Sequence, residues 1–159
     1  TAGSIYQQSL IMEIVVSEST HLVCPHCSAI NRVPASRLGE APVCGQCKQP
    51  LFTAHPLAVD STAFQRHLGR SDLPVLVDFW APWCAPCRAM APVFEAAAAR
   101  LEPRVRLVKL DTESEPTIAA RFGIRSIPTL ALFRHGQEIA RQAGAMELGQ
   151  LLRWVDMHL

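Results

Sequence analysis

The sequence predicts an α/β fold, a mixed central sheet flanked by helices, with a small cysteine-rich module in front. Three observations predict it. From Leu57 onward strand-like and helix-like segments alternate, the signature of a layered α/β structure. All six cysteines fall into Cys-x-x-Cys pairs, Cys24/Cys27, Cys44/Cys47 and Cys84/Cys87. The first two pairs stand in a short, turn-rich stretch, whereas the third follows an apolar run and opens a helical one. The 159 residues are therefore read as two domains, 12–54 and 55–159. Residues 1–11 look unlike the rest and are read as an added leader ahead of a native Met12.

Sixteen residues separate Cys27 from Cys44, within the spacing of a four-thiolate zinc ribbon. Cys24, Cys27, Cys44 and Cys47 would hold one structural Zn²⁺, tetrahedral and closed, with no open position for water. The module is too short to bury a sufficient core, and a structural zinc site supplies on the order of ten kcal/mol to folding. His26 as a competing nitrogen ligand, or two disulfides in place of metal, are the alternatives. Asn31–Pro34 and Gly39–Pro42 read as turn and edge residues of hairpins, and helix is not expected there.

In the second domain, Leu57–Asp60 predicts a first short strand, and Ser61 caps a helix carrying Phe64 and Leu68 on one face and ending at Gly69. Leu73–Trp80 is a buried strand interrupted by one charge, Asp78. The helix after Cys84 runs to about Leu101, bent where Pro92 removes an amide donor. Val105–Leu110 is a third strand, and Ser114 to Pro116 begins a helix stopped by Gly123. Thr129–Phe133 and Glu138–Gln142 flank a hairpin turn at Arg134–Gln137. Leu148, Leu151, Leu152 and Val155 place a final amphipathic helix within Met146–His158, giving the order βαβαβαββα.

Fifteen Lys plus Arg against fourteen Asp plus Glu leave a net charge of +1, so no nucleic-acid footprint is visible. Zinc ribbons also occur in nucleic-acid-binding proteins, and that reading stays open for the module alone. No apolar stretch reaches membrane-spanning length, and Thr1–Met12 lacks the basic start and long apolar core of a secretion signal. A soluble cytoplasmic protein is the expectation, since four reduced thiolates survive best in a reducing compartment.

Val77-Asp78-Phe79-Trp80-Ala81-Pro82-Trp83-Cys84-Ala85-Pro86-Cys87 and Gly123-Ile124-Arg125-Ser126-Ile127-Pro128-Thr129 resemble the thioredoxin family over roughly residues 57–158. With the four-cysteine ribbon in front, the chain is similar to the zinc-binding bacterial thioredoxins of the thioredoxin 2 type. The resemblance implies the thioredoxin fold. One departure is Ala85-Pro86 between the reactive cysteines where the family has Gly-Pro, which predicts a modest change in potential.

Cys84, at a helix start beside Trp83, reads as the more exposed sulfur and the nucleophile, with a pKa of roughly 7 as in thioredoxin Cys-x-x-Cys motifs. It attacks a substrate disulfide, and Cys87, facing inward, resolves the mixed disulfide. A structural disulfide or half a metal site is the plain alternative. Asp78 in an apolar strand should hold its proton strongly. The resemblance implies that it serves as acid/base for Cys87 through water, with Lys109 as its charge partner. An edge-facing or salt-bridged Asp78 and a solvent-facing Lys109 are the alternatives. The resemblance also implies a cis bond at Ile127–Pro128 and strand-like pairing of substrate with the Ile127 backbone. Trp83, Ala85, Pro86, Ile127, Pro128, Gly144 and Ala145 would form a shallow apolar surface around Cys84. Trp80 is read as a core aromatic.

The expected function is protein-disulfide reduction by a monomer, part of an electron-transport chain recycled by an NADPH-dependent thioredoxin reductase. No organic cofactor is expected on this chain, which lacks a Gly-rich dinucleotide fingerprint. Disulfide-containing proteins are the substrates, with neither nucleic acid nor membrane as partner. The alternative is a redox-sensing zinc protein whose ribbon releases metal on oxidation and exposes a binding surface. A secretory oxidase or isomerase is a third reading, disfavoured because Ala-Pro is nearer Gly-Pro than the Pro-His of DsbA-like oxidants.

Overall fold

The computed structural model describes residues 18–159, so the reading of residues 1–11 as a leader lies outside the described residues. Strands β1 (Ser19–Val23) and β2 (Ile30–Pro34) form an antiparallel hairpin with Val23 opposite Ile30. The first cysteine pair occupies its turn. The Asn31–Pro34 stretch expected as turn and edge is thus strand, because the cysteine loop supplies the reversal. A 3₁₀ turn follows at Ala35–Arg37, and the second pair sits in a tight loop closed by a Val43–Pro50 bridge.

The remainder is β3 (Leu57–Ala58), α1 (Ser61–Arg70), β4 (Val75–Trp80), α2 (Ala85–Leu101), β5 (Arg106–Asp111), α3 (Pro116–Arg121), β6 (Thr129–Arg134), β7 (Gln137–Ala143) and α4 (Leu148–His158). The strands form one sheet ordered β3-β5-β4-β6-β7, with β3, β5 and β4 parallel and β6 and β7 antiparallel. Side chains on β4 alternate between two cores, as a strand buried on both faces requires. Val75, Val77 and Phe79 pack with Phe64, Leu68 and Ile118 of α1 and α3. Leu76 packs with Met90, Phe94 and Leu101 of α2 and Leu151 and Val155 of α4.

Asp60, not Ser61, caps α1: its Oδ1 accepts the Ala63 amide at 2.8 Å, and Ser61 is the first helical residue. The helix passes Gly69 and ends at Arg70. Gly123 follows α3 with φ +61, the left-handed geometry that stops a helix. His135 and Gly136, with φ +50 and +77, make the two-residue turn between β6 and β7.

The ribbon packs against the sheet domain. Leu22, Cys24, Val33, Cys44 and Leu51 share a core with Leu73, which leads into β4. Asp72 carries the contact further, its amide donating to His21 O at 2.8 Å and its carboxylate accepting the His21 amide at 2.7 Å. Among the described residues no helix is long and apolar enough to cross a membrane.

Candidate functional site

Cys84 is the N-cap of α2, and its Sγ accepts the Cys87 amide at 3.2 Å. Pro86 has no amide to offer, so the Cys87 N–H is the donor that a sulfur in the cap position meets. A turn fixes the approach: Cys84 N donates to Ala81 O at 3.2 Å, and Arg88 Nη1 donates to Pro82 O at 2.9 Å. Cys84 and Cys87 are joined as a disulfide with Cα atoms 5.2 Å apart.

The two cysteines were expected to differ in exposure, and the structure corrects this: Cys84 is 4% exposed and Cys87 2%. What separates them is the cap. In the reduced pair, the Cys87 amide and the positive end of the helix dipole favour the thiolate at Cys84. The exposed group is Trp83, at 66%, with Ala85 and Pro86 also exposed beside it.

The Ile127–Pro128 bond is cis, and the Ile127 carbonyl oxygen lies 3.7 Å from Cys84 Sγ. Ile127 and Trp80 pack against Ala81, Cys84 and Cys87, so Trp80 lines the base of the site while staying half-buried. Pro128 is buried, and its carbonyl accepts the Gly144 amide at 2.8 Å, which ties exposed Gly144 and Ala145 to the same loop. Thr129 Oγ1 donates to Ser126 O at 2.6 Å and holds the turn before it.

Asp78 is 1% exposed, and neither carboxylate oxygen has a hydrogen-bond partner among the described residues. Burial pushes its carboxyl up to about 7, against a lowering pull from Lys109. A carboxyl titrating there can give and take a proton near neutrality. Lys109 is half-buried, with its ammonium 4.3 Å from the centroid of the Trp80 ring.

The second site is the ribbon cluster. The sulfurs of Cys24, Cys27, Cys44 and Cys47 all lie within 4.8 Å of one another, with Cys24–Cys47 and Cys27–Cys44 both at 3.6 Å. Zinc–sulfur bonds of about 2.3 Å in a tetrahedron put sulfurs about 3.8 Å apart, so the residues fit the ion. None of the four forms a disulfide, and the exposed His26 contributes no ligand atom to the cluster.

Both knuckles are built alike. Cys24 N donates to Ala29 O and Ser28 N to Cys24 O, while Cys44 N donates to Gln49 O and Lys48 N to Cys44 O. Ser28 and Lys48 take the left-handed conformation, φ +64 and +66, without being glycine.

The Cys47 amide, then the Asn31 side chain, hold the Cys44 thiol down to about 5. Against the Gln49 amide, burial and the neighbouring thiols push Cys47 up to about 12. Four sulfurs this close cannot all ionise without a cation among them, which a zinc ion provides. Asn31 was not anticipated: its Nδ2 donates to Cys44 Sγ at 3.4 Å and its Oδ1 accepts the Gly45 amide at 2.8 Å. It sits on β2, opposite Leu22, where the sequence shows only a turn-forming residue.

Comparison with known proteins agrees with both sites. The family profile described as Thioredoxin matches residues 55–157, and that described as Thioredoxin 2, N-terminal matches residues 23–49. Thioredoxin C-3 of Corynebacterium nephridii is 45% identical over 138 residues, 87% of this chain and 94% of that protein. Thioredoxin 1 of Synechococcus elongatus is 44% identical over 102 residues, 64% of this chain and 95% of its own. The crystal structure of Malassezia sympodialis thioredoxin superposes with a TM-score of 0.58 at 33% identity, over 64% of this chain and 88% of that one. Helix-capped cysteines on a thioredoxin sheet, behind a four-cysteine ribbon, therefore place the chain in the thioredoxin family as a protein-disulfide reductase that works by thiol–disulfide exchange through Cys84 and Cys87.

Proposed function

We propose that Cys84 is the attacking sulfur and Cys87 the resolving one. The observation that carries this assignment is the Cys87 amide donating to Cys84 Sγ at the N-cap of α2. The Cys84 thiolate bonds to one sulfur of a substrate disulfide, and the other leaves as a thiolate that takes a proton from water. Cys87 then gives its proton to Asp78, through water, and attacks Cys84 Sγ. That bond forms as the mixed disulfide breaks, and two electrons have passed to the substrate. Lys109 tunes Asp78 by its charge.

Substrate lies on Trp83, Ala85, Pro86, Ile127, Pro128, Gly144 and Ala145, with its backbone pairing to Ile127 as an added strand. Such a surface selects extended protein segments rather than particular side chains. The pair is returned to the dithiol by an NADPH-dependent thioredoxin reductase. The chain acts as a monomer in the cytoplasm, with no nucleic acid and no membrane as partner. Its domains are 12–54 and 55–159, and the first carries one structural Zn²⁺ on Cys24, Cys27, Cys44 and Cys47.

Insulin-disulfide reduction with thioredoxin reductase and NADPH tests the assignment. Cys84→Ser should abolish turnover, and Cys87→Ser should accumulate a mixed disulfide with substrate. Full turnover in Cys84→Ser defeats it.

A second reading has one observation in its favour: Cys27 is exposed, so an oxidant can reach a ribbon sulfur. In that reading ribbon oxidation releases metal and exposes a binding surface. Metal staying bound through peroxide titration while Cys84 and Cys87 oxidise fully would exclude it.

A further inference from the structure

Arg106, the first residue of β5, is 0% exposed, and its Nε and Nη1 have no hydrogen-bond partner among the described residues. No carboxylate forms an ion pair with it among the described residues. Glu102 acts on it only through space, and burial pushes that carboxyl up as well. A guanidinium keeps its proton in any protein environment, so a buried charge stands here without a fixed counter-ion. Leaving it uncompensated is strongly unfavourable.

The groups it does meet belong to the ribbon side. Nη2 donates to Leu51 O at 2.8 Å and reaches Val23 O at 3.5 Å, and the guanidinium lies 4.9 Å from the centroid of the Phe52 ring. Val23 immediately precedes Cys24. A second arginine repeats the arrangement on the other side of the same knuckle: Arg66, on α1, donates through Nε to Ser28 O at 2.6 Å, and Ser28 immediately follows Cys27. The two cations, 40 positions apart in the chain, bracket one Cys-x-x-Cys pair.

Charge gives the arrangement a purpose. A dication held by four thiolates carries two net negative charges, and two guanidinium groups carry two positive ones. Groups just outside the ligands, holding their backbone and setting their field, control how tightly a metal is kept.

We propose that Arg66 and Arg106 of the redox domain serve the ribbon's metal centre, pinning the carbonyls on either side of the Cys24–Cys27 pair and balancing the charge of the four thiolates. The inference rests on the ribbon holding zinc. Retention of the metal then depends on the sheet domain as well as on the ribbon.

Zinc release from the full chain to the dye 4-(2-pyridylazo)resorcinol measures this, with zinc content determined first by plasma mass spectrometry. Arg106→Met and Arg66→Met should each release zinc about 10-fold faster than the unaltered chain, the lower end of what loss of an outer-shell partner costs. Arg106→Lys and Arg66→Lys, which keep the charge, should return to within about 3-fold. Arg66 is only half-buried, so its variants fold even where Arg106→Met does not. Folded methionine variants releasing zinc at the unaltered rate would overturn the proposal, as would lysine variants as fast as the methionine ones. Absence of zinc from the unaltered chain would instead overturn the zinc reading itself.

Discussion

Asp78 and Lys109 stand directly opposite each other in the parallel pairing of β4 and β5, yet the Lys109 ammonium lies over the Trp80 ring and no ion pair joins the two. The carboxyl therefore feels the lysine only at a distance. Burial dominates and raises its pKa to about 7, while Lys109 lowers it in part. A closer pair would hold the carboxyl well below that value and leave Asp78 a weaker base toward the Cys87 proton.

Replacing Lys109 by Met removes the lowering influence, so the Asp78 carboxyl should titrate above its present value. The acid limb of the resolving step should move up with it, slowing exchange most at pH 6–7. Carbon-13 NMR of the Asp78 carboxyl reads the midpoint directly. A midpoint that stays put or falls would show that Lys109 does not act on Asp78.

Asp78→Asn should stabilise the protein at pH 8. The carboxyl has an ordinary value of 3.8 and a folded value of about 7, so the folded state holds its proton to higher pH. The cost to stability is absent below about pH 4, grows as pH rises, and is complete above about pH 7. Its full size is about 4 kcal/mol. A buried amide without a partner costs about 2 kcal/mol, leaving a net gain of about 2. Urea unfolding at pH 8 should show a higher midpoint with an unchanged slope, and at pH 3 no gain. A lower midpoint at pH 8 contradicts the argument.

His67 works in the opposite direction. Burial, then the charges of Arg106 and Arg66, hold its imidazole down to about 4 from 6.5. The unfolded chain takes up this proton first, so stability from His67 is present above about pH 6.5 and is lost as pH falls toward 4. Between pH 7 and 5 Asp78 adds about 2 kcal/mol of stability while His67 removes about 2, so the protein's stability should be nearly flat. His67→Leu should unmask the Asp78 slope and be more stable at pH 5 than at pH 7. Equal slopes for the variant and the unaltered chain would exclude a buried neutral His67.

Local patterns in the sequence foretold what local chemistry determines. The near-continuous apolar run along Val75–Trp80 marks a strand buried on both faces, and a lone Asp78 within it marks a buried carboxyl. Cysteine spacing marks the ribbon because two ligand pairs need little else in common. Asp60 and Ser61 are both good caps, and only the backbone angle at one residue decides between them. The near-equal exposure of Cys84 and Cys87 depends on Ile127, 43 positions from Cys84, closing over the sulfur. Arg106 meets Val23 across 83 positions, and nothing near either residue announces the contact. An arginine beginning a strand looks like an ordinary surface charge until the ribbon is placed on top of it.

The ribbon should depend on its metal while the sheet domain does not. Leu22, Val33 and Leu51, with Leu73, are the large fully or nearly buried aliphatic residues of the ribbon core, too few to offset the chain entropy of some forty residues. The sheet domain keeps two aliphatic and aromatic cores, one on each face, without any contribution from the ribbon cysteines. Chelation of zinc under reducing conditions should therefore open β1 and β2 to amide exchange. The order of protection should be lost from Ser19–Val23 and Ile30–Pro34 while Val75–Trp80 and Arg106–Asp111 stay protected. Cys84 sits at the far end of β4 from Val75, near which Leu73 meets the ribbon, so insulin reduction should remain within about 2-fold of the metal-loaded rate, a change of about 0.4 kcal/mol in the barrier. Hydrogen–deuterium exchange before and after chelation supplies both readouts on one sample. Persistent protection of β1 and β2 without metal would mean that packing against Leu73, Arg66 and Arg106 holds the ribbon by itself.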